Sequence, residues 1–247
     1  MKKTSGVVLS DEQSYLLDSR LGPVARERGF GSIGEFVNAA VAVPTGPNAL
    51  ALVDAMTTHE TFFFRDVGFW KSLEELVLPR LFAVAGPRPL NVWSAACSHG
   101  QEAYSLAMLL EEKFPAVARG TRILGTDISP ATVERAREGL YSNIEVNRGL
   151  SAARMVKYFE QGRGGLRVKP LLRERVQWQV HNLLQLPPGV RFDIVMCRNV
   201  LIYFNEADRK TVLQFLTGAT APGGFIGVGA TEMMSLPSLA PGWYTKS

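Results

Sequence analysis

The chain reads as an α/β protein: a helical N-terminal region, then a mostly parallel sheet covered by helices, with a small antiparallel β-unit inserted in it. Three observations predict this. Up to about Phe82, apolar residues recur at helical spacing between cap and breaker signals. From Leu90 onward, short apolar runs alternate with helical stretches, and strand–helix alternation builds a parallel sheet covered on both faces. The segment Ser142 to Arg175 breaks that alternation with Gln161-Gly162-Arg163-Gly164-Gly165 and then Leu166-Arg167-Val168, a pattern that reads as a hairpin. The resulting divisions are 1–82 for the helical region, 83–247 for the sheet region and about 142–175 for the insert.

Taken in order, Ser10-Asp11-Glu12-Gln13 reads as a capping box opening a helix with Tyr15, Leu16, Leu17, Leu21 and Val24 on it. Gly29 ends that helix, because glycine accepts the left-handed conformation a helix C-terminus needs. Ser32 caps a second helix before Phe36 and Val37, and Pro44-Thr45-Gly46-Pro47 breaks the pattern. Two further helices are expected over Asn48 to Met56 and Val67 to Leu81. Between them residues 57–66, TTHETFFFRD, are too aromatic for an ordinary linker. Strands are expected at Leu90 to Ala96, Arg122 to Thr126, Val176 to Val180, Phe192 to Cys197 and Phe225 to Gly229. Helices fit Gln101 to Phe114, Pro130 to Glu138 and Glu206 to Leu216.

Composition narrows the class. With 247 residues, 46% of them hydrophobic, the chain can bury a sizeable core. The 27 Lys and Arg against 23 Asp and Glu leave a net charge of +4, which suits an acidic protein partner or a weak nucleic-acid contact without deciding between them. Cys97 and Cys197 lie in apolar strand contexts without metal spacing, so a reducing compartment is expected rather than a disulfide framework. No apolar run is long enough to span a membrane, and no signal-peptide core follows Met1-Lys2-Lys3. A soluble, cytoplasmic protein without a metal site is the expectation.

The stretch Val92 to Met108, VWSAACSHGQEAYSLAM, reads as a strand, a small-residue turn and a helix, a junction that presents backbone N–H groups to a nucleotide-like ligand. Only Gly100 is a glycine there, which argues against the G-x-G-x-x-G pattern of dinucleotide sites. Asp127 ends the next strand, where an acid either accepts hydrogen bonds from ribose hydroxyls or caps the helix opened by Ser129-Pro130. Spacing does not choose between the two. Asn182-Leu183 and Arg198-Asn199 follow two later strands, at the sheet end where ligands bind in open α/β folds. Each asparagine taken alone reads equally as a turn residue, and Tyr203 as a half-buried aromatic.

The ordered set THETFFFRD, WSAACSHGQEAYSLAM, GTDISPATVERAREGLY, HNLL, CRNVLIYF and PGGFIGVGATE resembles the chemotaxis receptor methyltransferases, from about Val7 to about Met234. That resemblance implies a class I S-adenosylmethionine-dependent methyltransferase with a Rossmann-like, mostly parallel sheet, a helical N-terminal domain and an inserted β-subdomain. It implies transfer of methyl from S-adenosylmethionine to glutamate side chains of chemoreceptors, giving glutamate 5-O-methyl esters and S-adenosylhomocysteine. By position, Thr61 and Arg65 match the family's N-x-T-x-F-F-R segment over the cofactor. Ala96 and Glu102 match cofactor positions in the turn, and Asp127 matches the ribose acid. Asn182 and Leu183 match the adenosine pair, and Asn199 and Val200 the pair near the methyl. Arg65 and Tyr203 are the residues expected to orient the substrate carboxylate.

Two departures stand out. His59 replaces the family's asparagine, so an amide contact to the cofactor would become an imidazole contact. The Gln161 to Val168 segment is shorter than in members that grip a C-terminal receptor pentapeptide, so activity without that tether is expected. Against the family pattern the chain begins near the second helix and stops early at Gly242-Trp243-Tyr244, and shortened edge strands are expected. Arg20, Arg26 and Arg28 read either as a solvated helix face or as a docking patch for acidic receptor helices. The expected partner is the cytoplasmic helical domain of a chemoreceptor, bound by a monomer, with no nucleic acid and no membrane insertion. A methyltransferase for small molecules or nucleic acids would lack the aromatic linker and helical region. A non-catalytic sensor of S-adenosylmethionine could lose Arg65 or Tyr203.

Overall fold

The computed structural model describes residues 15–43, 46–56, 60–187 and 189–246. The Ser10 capping box and residues 57–59, His59 among them, lie outside the described residues. Helix α1 (Tyr15–Glu27) ends at Gly29, whose φ of +80° is left-handed and whose N–H donates to the Arg26 carbonyl. In α2 (Ile33–Ala42) the Ser32 side chain accepts the Glu35 N–H at 3.2 Å, as the sequence predicts. With α3 (Pro47–Met56) these helices bury Leu21, Ala25, Phe36, Ala40, Ala49, Leu52 and Met56 against one another.

The expected helix from Val67 to Leu81 is longer and interrupted. It runs as α4 (Val67–Ser72), a π-helical turn (Leu73–Val77) and α5 (Leu78–Ala85). Pro79 has no N–H to offer the Glu75 carbonyl, so the ladder shifts register ahead of it. Leu73, Val77 and Leu78 stay fully buried across the shift.

The main sheet contains β1 (Asn91–Ala95), β2 (Arg122–Asp127), β6 (Val176–Val180), β7 (Phe192–Cys197), β8 (Thr220–Val228), β9 (Ser238–Ala240) and β10 (Trp243–Thr245). Among the described residues the order is β6-β2-β1-β7-β8-β10-β9. Neighbours from β6 through β8 pair in parallel, and β10 is antiparallel to both of its neighbours. Helices α6 (Gln101–Lys113), α7 (Pro115–Ala118), α8 (Pro130–Glu138) and α12 (Glu206–Ala219) connect these strands. Strand β7 is buried along its whole length, as expected of a central parallel strand. Strand β8 starts five residues before the expected Phe225, because Thr220 pairs with Phe192 ahead of a register shift at the Pro222-Gly223-Gly224 kink.

Between α8 and β6 a second sheet, β3 (Leu140–Tyr141), β4 (Phe159–Gly162) and β5 (Gly165–Val168), pairs antiparallel in the order β3-β5-β4. Helices α9 (Asn143–Asn147), α10 (Ala152–Tyr158) and α11 (Pro170–Arg173) flank it. The strand order turns outward on both sides of the β1–β7 pair. The carboxyl ends of those strands therefore open the crevice in which this class of sheet takes ligands.

Candidate active site

A single cavity sits on that crevice, floored by the ends of β1, β2, β6 and β7 and roofed by residues 60–65. The turn after β1 shapes its floor. Cys97 N–H continues the pairing to the Thr126 carbonyl at 2.8 Å, while Ala96 (φ +55°) and Ser98 (φ +51°) adopt the left-handed conformation. Gly100 (φ +89°) caps α6 in the same conformation, and a Cβ there would lie 2.6 Å from the Trp178 ring. A bare glycine thus lets the start of α6 pack against Trp178 of β6 and Ala136 of α8.

Asp127 meets this turn. One carboxylate oxygen accepts the Ser98 N–H at 2.9 Å and the other accepts the Ser129 N–H at 3.1 Å, while Ser129 Oγ itself caps α8. The helix-start reading of Asp127 is therefore present in the geometry, and the same carboxylate also lines the cavity. Asn182 makes the turn bond expected of it, accepting the Leu184 N–H at 3.0 Å, and with Leu183 it lines the same cavity. Asn199 is left-handed (φ +58°), a conformation asparagine tolerates.

The roof separates its residues by face. Phe63 and Phe64 are buried, Phe63 edge-on to Tyr141 and Phe159, and Phe64 under the Arg154 guanidinium at 3.8 Å. Thr61, Phe62 and Arg65 face the cavity instead. Arg65 donates from Nη1 to the Glu60 carbonyl at 2.6 Å, and its own carbonyl accepts from Trp70 Nε1 and Arg198 Nη2.

Of the residues singled out in the sequence, Thr61, Arg65, Ala96, Glu102, Asp127, Asn182, Leu183, Asn199, Val200 and Tyr203 line this one cavity. His59 lies outside the described residues. Two residues given no role beforehand hold the arrangement together. Arg198 has a side chain only 3% exposed. It donates to Glu102 Oε2 at 3.1 Å and Asp66 Oδ2 at 2.6 Å, and lies 4.0 Å over the Phe69 ring. It ties the roof to the first turn of α6, where Glu102 also accepts from Ser94 Oγ at 2.7 Å. Glu232 accepts the backbone N–H groups of Asn199, Val200, Leu201 and Gly229, and so sets the loop after β7. A buried arginine closing an apolar strand was a usable signal for Arg198, since such a charge needs partners. Glu232 lies more than thirty residues from its three partners in the loop after β7, and only its bond to Gly229 is local.

Among the described residues, neither the thiol nor the imidazole lining the cavity is poised as a nucleophile or base. Burial pushes the Cys97 thiol well above its ordinary range, reinforced by Asp127 and Glu102. Burial also lowers the His181 imidazole pKa, which keeps it neutral. Carboxylates, backbone amides and amide side chains remain. That donor set suits a ligand bearing ribose hydroxyls and a charged amino-acid end, and it fits S-adenosylmethionine.

Residues 59–241 match the family described as CheR methyltransferase, SAM binding domain. The chain is 39% identical over 241 residues to chemotaxis protein methyltransferase 1 of Pseudomonas aeruginosa, covering 95% of this chain and 88% of that protein. It is 37% identical over 241 residues to chemotaxis protein methyltransferase Cher2 of Pseudomonas putida, with the same coverage. With the chemotaxis protein methyltransferase of Vibrio parahaemolyticus it shares 36% identity over 240 residues, 95% of this chain and 86% of that protein.

Proposed function

Because the chain belongs to the CheR methyltransferase family, and so is an S-adenosylmethionine-dependent methyltransferase, we propose that its methyl acceptors are glutamate side chains of chemoreceptors. The products would be glutamate 5-O-methyl esters and S-adenosylhomocysteine. The observation that supports this reading is that Arg65 and Tyr203 line the same cavity as Asp127, Asn182 and Asn199, where among the described residues neither the Cys97 thiol nor the His181 imidazole is poised as a base.

S-adenosylmethionine held there would supply a methyl on a cationic sulfur, which would keep the C–S electron pair as the methyl passes to the acceptor oxygen. A glutamate side chain with a pKa of about 4.3 is already the anion at neutral pH and needs no base. The chain's task is then alignment and exclusion of water, which can supply several orders of magnitude of rate. In this reading Asp127 takes the ribose hydroxyls, and Asn182 and Leu183 flank the adenosine. Thr61, Ala96, Glu102, Asn199 and Val200 surround the methionine end, with His59 at the roof. Arg65 and Tyr203 hold the acceptor carboxylate, Arg65 mainly by position, since pairing also stabilises the ground-state anion.

Residues 1–82 then form the receptor-facing unit and 83–247 the transferase, with 142–175 as its insert. The hairpin joining β4 to β5 turns in only Arg163-Gly164, which supports action without a receptor pentapeptide. The protein works in this reading as a cytoplasmic monomer. Among the described residues no helix is long and apolar enough to cross a membrane.

Transfer of labelled methyl to a recombinant cytoplasmic fragment of a chemoreceptor tests the assignment. The label should leave as methanol in mild alkali, as carboxyl esters do. Alkali-stable label, or none on the fragment, would overturn it.

A further inference from the structure

A second guanidinium contacts two residues that line the cavity, Glu60 and Phe62. Arg148 follows α9, and its Cζ lies 4.3 Å from the centroid of the Phe62 ring, while Arg65 Cζ lies 5.7 Å from the same centroid. Phe62 lines the cavity, so both cations lie beside one cavity-lining ring. The position of Arg148 is built rather than incidental. Its neighbour Gly149 has φ +99° and packs so tightly on the roof that a Cβ there would fall 1.9 Å from the Phe63 carbonyl oxygen. The chain after α9 is thereby pinned to residues 60–65.

Arg148 Nη2 donates to Glu60 Oε1 at 2.7 Å, and this hydrogen bond and charge hold the Glu60 carboxyl below its usual range. The two side chains are 53% and 54% exposed. An ion pair so open to water contributes little to folding and exchanges readily with another carboxylate. Among the described residues, Glu60 is the carboxylate paired with Arg148, and the Arg65 side chain donates to a backbone carbonyl.

We propose that Arg148 is a specificity-determining residue that receives a second carboxylate of the acceptor protein, near the one presented to Arg65. Glu60 occupies Arg148 until that carboxylate displaces it. The inference rests on the glutamate-methylating reading above and adds to it that the acceptor must be acidic at more than the methylated side chain. On a helical acceptor, side chains three or four residues apart share a face, which sets the spacing two such cations can read.

The test is steady-state methylation of the chemoreceptor fragment at low salt, with S-adenosylhomocysteine affinity measured in parallel. Arg148→Ala should raise KM for the fragment about fivefold and leave cofactor affinity and kcat within twofold, a change of the size exposed charge pairs give. Glu60→Gln should lower KM two- to threefold, and that gain should vanish in the Arg148→Ala background. Rising salt should erase both effects. An unchanged KM in Arg148→Ala would overturn the proposal. So would a raised KM in Glu60→Gln, which would make the pair a brace for the roof. If the unaltered enzyme places no alkali-labile methyl on the fragment, the parent reading falls and takes this one with it. If it does so and only the variants fail to respond, this one falls alone.

Discussion

At position 232 a single carboxylate receives four backbone N–H groups, and three of them belong to the loop that carries Asn199 and Val200 into the cavity. Hydrogen bonds to a charged acceptor contribute roughly 1.5–3 kcal/mol each, and a carboxamide would turn an N–H toward donors that need an acceptor. Glu232→Gln should therefore weaken S-adenosylhomocysteine binding by about tenfold or more in titration calorimetry and lower kcat, with KM for the receptor fragment little changed. Unaltered cofactor affinity would show the loop is set by something else. Arg65 makes the opposite case. Its carbonyl holds Trp70 and Arg198, and those contacts survive truncation, whereas among the described residues its side chain reaches Glu60 and Phe62. Arg65→Ala should lower turnover about a hundredfold, the scale of a misplaced reactant, while the melting temperature moves little. Wild-type turnover in a folded variant would remove Arg65 from the acceptor site.

Among the elements, those set by local signals match their expected positions closely. The Ser32 cap, β6, β7 and α8 fall where turn residues and apolar runs put them. The early start of β8 and the short strand β10 do not follow from local pattern. Each depends on a partner distant in sequence, such as Phe192 for Thr220 and Gly227 for Trp243. The contact between the α9–α10 turn and the roof is of the same kind. Gly149→Ala would force a left-handed alanine and a clash with the Phe63 carbonyl, and so should cost roughly 1–3 kcal/mol by chemical denaturation. It should also raise KM for cofactor, because the displaced segment is the one that bears Thr61 and Arg65. A stable variant with normal KM would mean the roof tolerates the displacement.

Over the whole molecule the net charge of +4 is modest, and its placement matters more than its size. Arg26 and Arg28 are exposed at the end of α1, and Arg28 donates to Asn48 on α3 at 3.1 Å. Reversing both to glutamate should raise KM for an acidic receptor fragment severalfold at low salt and leave cofactor binding intact. No change at low salt would assign them to a solvated surface. The same distinction between presence and placement runs through the site. The amino-acid sequence by itself determined the α/β class and most element positions, because periodicity, caps and strand-end residues are local properties, and its ordered motifs implied the cavity-lining set from Thr61 to Tyr203 through their resemblance to a known family. It left Asp127 and Asn182 divided between turn and ligand roles, and the folded chain shows one group in contact with the turn and the cavity together. Only the tertiary structure decided that Arg198 ties the roof to α6, that Glu232 sets the loop after β7, and that Arg148 reaches Glu60 and Phe62. Those contacts join residues between 31 and 133 positions apart, a range over which sequence pattern carries no distance information.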